Sequence, residues 1–170
     1  MDLTKTGHGG SRPSLWPADL RLVLGERRLV TLALDAVQTL DWSKPNAPSQ
    51  GPDGHRPRMV LTLLSYCYAA GICGSQDIEW AIENDRMVRY ICARTYPDWL
   101  AIRRFRRRNR EWLRQCLAYI FRRTWMWQWD QAPAEYADAF RAESALEEHI
   151  ASAVQDRFEL AVIMDRAALE

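Results

Sequence analysis

The chain lacks any run of the ~20 apolar residues that a bilayer-crossing helix needs. Its longest nearly apolar stretch, Met59 to Cys73, is broken by Thr62, Ser65, Tyr66 and Tyr68, so it predicts a buried helix and no membrane contact. Met1 to Gly10 carries no apolar core of a secretion signal, which argues against export. No Cys-x-x-Cys pair occurs, and none of His8, His55 and His149 lies near Cys67, Cys73, Cys92 or Cys116 in sequence. That removes the usual zinc spacings, a disulfide framework and Cys–His nucleophilic catalysis. Four buried, inert thiols in a reduced, cytoplasmic chain are expected. Gly9-Gly10 has neither the spacing nor the lysine of a phosphate loop. No period-two alternation of β-branched residues and no internal repeat is visible. No cofactor, no metal and no enzymatic activity are therefore expected.

What is present suits one all-α globular domain with an appended segment. Of 170 residues, 48% are hydrophobic and 26% charged, close to the globular average. Eight tryptophans supply unusually large side chains to bury. The net charge of +1 conceals an uneven distribution. Arg103 to Arg123 holds nine arginines, no lysine and one acid, Glu111, whereas Thr124 to Glu170 holds three arginines and ten acids. A planar, always-charged fork suits phosphates and base edges. It equally suits carboxylates, which makes the acidic tail a rival partner.

Helical periodicity recurs along the chain. Glu26 to Leu40 reads as a helix with Leu29, Leu32, Leu34 and Val37 apolar. Ser43 to Pro57, rich in proline and glycine, reads as a loop. Arg58 to Ala70 is a helix apolar nearly all round, hence central, and Gly71 to Gly74 turns the chain. Ser75 is expected to N-cap a short helix from Gln76 to Glu83, and Asp85 to start another through Met87, Val88 and Ile91. Asp98 to Phe121 is expected to be the longest helix. On it Ile102, Phe105, Asn109, Trp112, Leu113, Cys116 and Ile120 share one face. Arg103, Arg107, Arg110 and Arg114 form the opposite stripe, with Arg104 and Arg108 on one flank and Arg106 on the other. Trp125, Trp127 and Trp129 suit either an extended strap or a helix end, and core packing is a better expectation for them than base stacking. After Pro133 an acidic helix offers Tyr136, Phe140, Leu146, Ile150 and Val154 on one side. Phe158 to Met164 suits helix or strand.

From His55 to about Arg123 the residues form an ordered set. His55-Arg56-Pro57 leads the apolar helix Met59 to Tyr68. Gly71-Ile72 and Ser75 follow, then Ile78-Glu79, Asp85 and Val88 to Tyr90. Tyr96-Pro97-Asp98 and Ile102-Arg103-Arg104-Phe105-Arg106-Arg107-Arg108 close the set. In order and spacing this resembles the N-terminal domain of DDE-type insertion-sequence transposases, over about 70 of the 170 residues. The resemblance implies a helical domain that binds the terminal duplex DNA of a mobile element. Two positions depart from the pattern: Asp77 stands where the family has Arg, and Ala101 where it has a Thr or Ser cap. The family's catalytic part is an RNase H-like domain with three metal-binding carboxylates, and only residues 124–170 follow here. Leu160 to Asp165 is similar to its first catalytic strand, but one carboxylate cannot hold two metals.

The division expected is 1–54 as N-terminal helix and Pro-rich linker, 55–130 as the transposase-like domain, whose short helices allow helix-turn-helix-like elements, and 131–170 as an acidic helical extension. The function expected is non-catalytic binding of double-stranded DNA. Arg103, Arg104, Arg106, Arg107, Arg108, Arg110 and Arg114 are the candidate contacts. The alternative is a protein–protein adaptor acting through the C-terminal helix, with a homodimer or a related full-length transposase as partner. A third arrangement has the acidic segment lying over the arginine face and limiting its access.

Overall fold

A helix that is apolar nearly all round belongs inside the molecule, and a computed structural model places one at the centre. The structure describes residues 14–51, 53–136 and 145–169. Among these are eight α-helices and no strand: α1 Arg21–Leu24, α2 Glu26–Gln38, α3 Pro57–Ala69, α4 Ser75–Asn84, α5 Arg86–Cys92, α6 Trp99–Arg108, α7 Arg110–Gln131 and α8 Leu146–Ala167. A short 3-10 turn covers Ala134–Tyr136.

In α3, burial is unbroken from Val60 to Ala69. The hydroxyls of Thr62 and Ser65 donate back to the carbonyls of Arg58 and Leu61, which satisfies these two buried groups within the helix. α2, α5 and α7 pack around α3, α4 bridges α5 and α6, and α8 lies against α7 and α4. One apolar cluster runs from Trp16 to Ala161 and draws on the N-terminal, central and C-terminal segments alike.

Helix starts follow their capping residues. Asp85 accepts from the amides of Met87 (2.8 Å) and Val88 (3.1 Å). Asp98 accepts from Ala101 (2.8 Å), and Glu79 of α4 takes the Trp99 amide at 2.5 Å. Asp98 thus caps α6 in place of the hydroxyl missing at Ala101. Ser75 departs from expectation, because it is the first residue of α4 and Gly74 holds the cap position. The Ser75 amide and hydroxyl both donate to Asp165 of α8, at 2.7 and 2.9 Å.

Two further expectations, the bounds of the long helix and the burial of Leu34, are corrected, and the alternatives left open for the C-terminal half are decided. The helix expected over Asp98 to Phe121 breaks at Asn109 (φ −119°, ψ 30°), and its second half continues to Gln131. Trp125, Trp127 and Trp129 therefore lie on a helix. Phe158 to Met164 is helical and continuous with α8. Leu34, expected in the core, is 43% exposed. Of the expected C-terminal face, Ile150 and Val154 are buried in the molecule's own core and Leu146 packs against it. The side chain of Tyr136 and the whole of Phe140 lie outside the described residues.

One contribution had no periodic signal. Trp16 and Leu20 are buried, and the Leu20 amide donates to the Ala69 carbonyl at 3.0 Å. The strap holding them crosses Gly71, which has φ +81°. A Cβ there would stand 2.8 Å from the Ala18 carbonyl oxygen, so this turn requires glycine on both counts.

Candidate nucleic-acid interface

The arginine block falls on α6 and α7, and the break at Asn109 divides its roles. α6 turns Ala101 and Ile102 inward. Arg106 lies only about 40° around the helix from Ile102 at the helical period, so burying that face carries Arg106 in as well. Its side chain is 6% exposed, and Nη1 sits 2.7 Å from Asp165 Oδ2. The same nitrogen donates to the Tyr68 hydroxyl at 3.4 Å. Burial pushes the Tyr68 phenol well above its ordinary range, against the opposing pull of Arg106. Arg103 Nε stands 3.6 Å from the same carboxylate oxygen, and its guanidinium lies over the Trp99 ring, 5.6 Å from the centroid. Asp165 therefore serves two guanidinium groups and both donors of Ser75. Arg103 Nε is itself buried without a hydrogen-bond partner, so Asp165 offsets that charge at ion-pair distance only.

The arginines of α7 meet α8 differently. Arg110 and Arg114 each place the guanidinium carbon 5.0 Å from the centroid of Phe158, a ring 1% exposed. Arg114 also donates to Gln155 at 2.9 Å. Arg122 makes a two-pronged pair with Glu147, at 3.0 and 2.8 Å, and this holds the Glu147 carboxyl below its ordinary range. α8 thus lies along the arginine face, but mainly through one buried carboxylate and one aromatic ring.

The expected single outward stripe is corrected accordingly. Arg103 and Arg106 point into the molecule, and Arg114 is half-buried against α8. Arg104, Arg107, Arg108 and Arg110 remain exposed around the α6–α7 junction. Arg104 pairs with Asp53 of the Pro-rich loop at 2.8 Å. Arg107 and Arg108 form no hydrogen bond or ion pair among the described residues. Beside them the loop encloses a cavity of about 40 Å³ bounded by Asp53, His55, Arg104, Arg108 and Asn109.

The aromatic segment is engaged within the fold. Trp125 meets Trp16 edge-on at 6.3 Å, and Arg28 lies 3.6 Å above Trp127. All four cysteines are free and buried. Burial pushes Cys73 and Cys92 up to about 11 and Cys116 up to about 12, and it raises Cys67 well above the ordinary thiol value too. None is a thiolate near neutrality. Among the described residues, no three His, Cys, Asp or Glu side chains gather as metal ligands, and no helix is long and apolar enough to cross a membrane.

No protein-family model, curated protein or solved structure matches the chain.

Two residues that organise this surface escaped the sequence reading. Asp53 and Asp165 are single acids far from the arginines they bind, and only their sign marked them as partners. Arg106 was better signalled: its angle from Ile102 already placed it at the edge of the core face.

Proposed function

We propose that the protein binds duplex DNA without catalysis, through Arg104, Arg107, Arg108 and Arg110 at the α6–α7 junction, as a transposase-derived binding protein. The observation carrying this reading is the exposure of those four guanidinium groups on one junction, with Asp53 as their only ion-pair partner among the described residues. The ordered transposase-like residues from His55 to Arg123 support it from the sequence side. Guanidinium groups so placed would pair with phosphates and displace condensed counterions. Neutralising about three phosphates gives a slope near −3 in log affinity against log salt.

The test is fluorescence polarisation with random-sequence duplex at several salt concentrations, using the wild type and Arg107→Glu/Arg110→Glu. Salt-dependent binding that the double variant loses, with its helical content intact, supports the assignment. Wild-type affinity in the double variant refutes it.

A second reading, as an adaptor, is favoured by a different face of α8. Leu160, Ile163 and Met164 are 37%, 60% and 39% exposed and lie at i, i+3 and i+4, which makes one apolar stripe. A homodimer or a related full-length transposase is the partner this reading implies. Self-association in light scattering that Ile163→Glu abolishes, with no DNA binding, would favour it over the first.

A further inference from the structure

α2, α3 and the end of α5 enclose a groove of about 490 Å³ on a side of the molecule that the DNA reading does not use. That volume falls within the range of small-molecule sites. Val30, Val37, Met59 and Ile91 line its depth, and Cys92 contributes a neutral thiol. Leu34 and Tyr90 stand at its rim, 43% and 71% exposed. Among the described residues its lining includes two cations, Arg56 and Arg58, and no carboxylate.

Arg58 is held ready. Its guanidinium lies 4.4 Å from the centroid of Trp42, and Trp42 is fixed by donating to the Val37 carbonyl at 2.9 Å. Neither Arg56 nor Arg58 forms an ion pair among the described residues. Ala93, the left-handed C-cap of α5 (φ +47°), also lines the groove, and Arg94 follows at +71°. Two successive non-glycine residues in the left-handed region are costly and concentrate where a backbone shapes a site.

An apolar trough that ends in two uncompensated guanidinium forks matches a molecule with an apolar body and one anionic end. A guanidinium fork takes a planar carboxylate two-pronged, as it also takes a phosphate. We propose that this groove binds a small amphipathic carboxylate, its charged end on Arg56 and Arg58 and its apolar body against Val30, Val37 and Ile91.

The experiment titrates the full chain with octanoate and, separately, with octan-1-ol. It follows the methyl resonances of Val30, Val37 and Ile91 by NMR. Octanoate is expected to shift those methyls, and octanol to bind about tenfold more weakly or less, the ratio expected of a charge-assisted pair. Arg56→Gln/Arg58→Gln should bring octanoate down to the level of octanol. Gln38→Glu, an exposed change at the groove that leaves both arginines in place, should weaken octanoate and spare octanol. Absence of shifts at millimolar octanoate, equal affinity for the two probes, or unchanged octanoate affinity in both variants would each overturn the proposal. So would shifts of the same methyls on dilution alone, which would assign the groove to a second copy of the chain.

Discussion

Removing the Asp165 carboxylate would leave Arg103 and Arg106 facing each other beneath α8 and the Ser75 amide without an acceptor. Breaking a buried charge cluster from one side costs about 3–5 kcal/mol. Asp165→Ala should therefore lower the urea midpoint by an equivalent amount, and a loss under about 1 kcal/mol would mean that water reaches both guanidinium groups. Gly71 is as exacting for a different reason. Gly71→Ala forces a left-handed alanine against the Ala18 carbonyl and should cost about 1–3 kcal/mol by the same measurement. The thiols set a pH dependence. Cys73 and Cys92 titrate at about 11 in the folded chain, against an ordinary value of 9.0. Below that ordinary value the unfolded chain holds the same thiol protons, so their contribution is fully present; above it the unfolded chain releases them first. Stability should fall as pH rises from about 9 to about 11. A urea midpoint that holds level between pH 8 and pH 10.5 would contradict this.

At the scale of elements, most helices were legible because their signals are local. Asp85 and Asp98 announce α5 and α6, and an apolar run with no polar face announces a central α3. The break at Asn109 was not legible, because the apolar positions on either side keep step as though one helix ran through. Only the non-helical backbone of Asn109 (φ −119°, ψ 30°) separates the two. The consequence falls on α6, which presents arginines to opposite environments. Arg106→Ala should destabilise the fold by about 3 kcal/mol while the folded molecules keep their DNA affinity. Arg107→Ala should do the reverse, leaving the thermal midpoint within a degree or two and weakening DNA binding. Urea denaturation and polarisation on the same two variants separate the roles, and parallel behaviour of the pair would deny α6 its two faces.

Across the whole molecule, the opposition of basic and acidic blocks was visible in the sequence, but its meaning was not. Charge sums gave no register, so they could not show that one acid, Asp165, enters the core while Asp156 and Glu159 stay exposed. Nor could they show that Ile150, Val154, Phe158 and Ala161 complete the apolar cluster. Removing α8 strips away several side chains worth about 1.5–3 kcal/mol each, a large part of the stability of an ordinary domain. A chain ending at residue 144 should lose its cooperative thermal transition; a sharp transition near the wild-type midpoint would show that α8 is an accessory. The Ser75–Asp165 bond also spans 90 residues, and Arg157 reaches the carbonyl of Ala18 across 139. On a ribosome those bonds have no second partner until α8 has been made. Until then the nascent protein must carry Arg103 and Arg106 without Asp165 to receive them, so its core closes once α8 has emerged and not helix by helix.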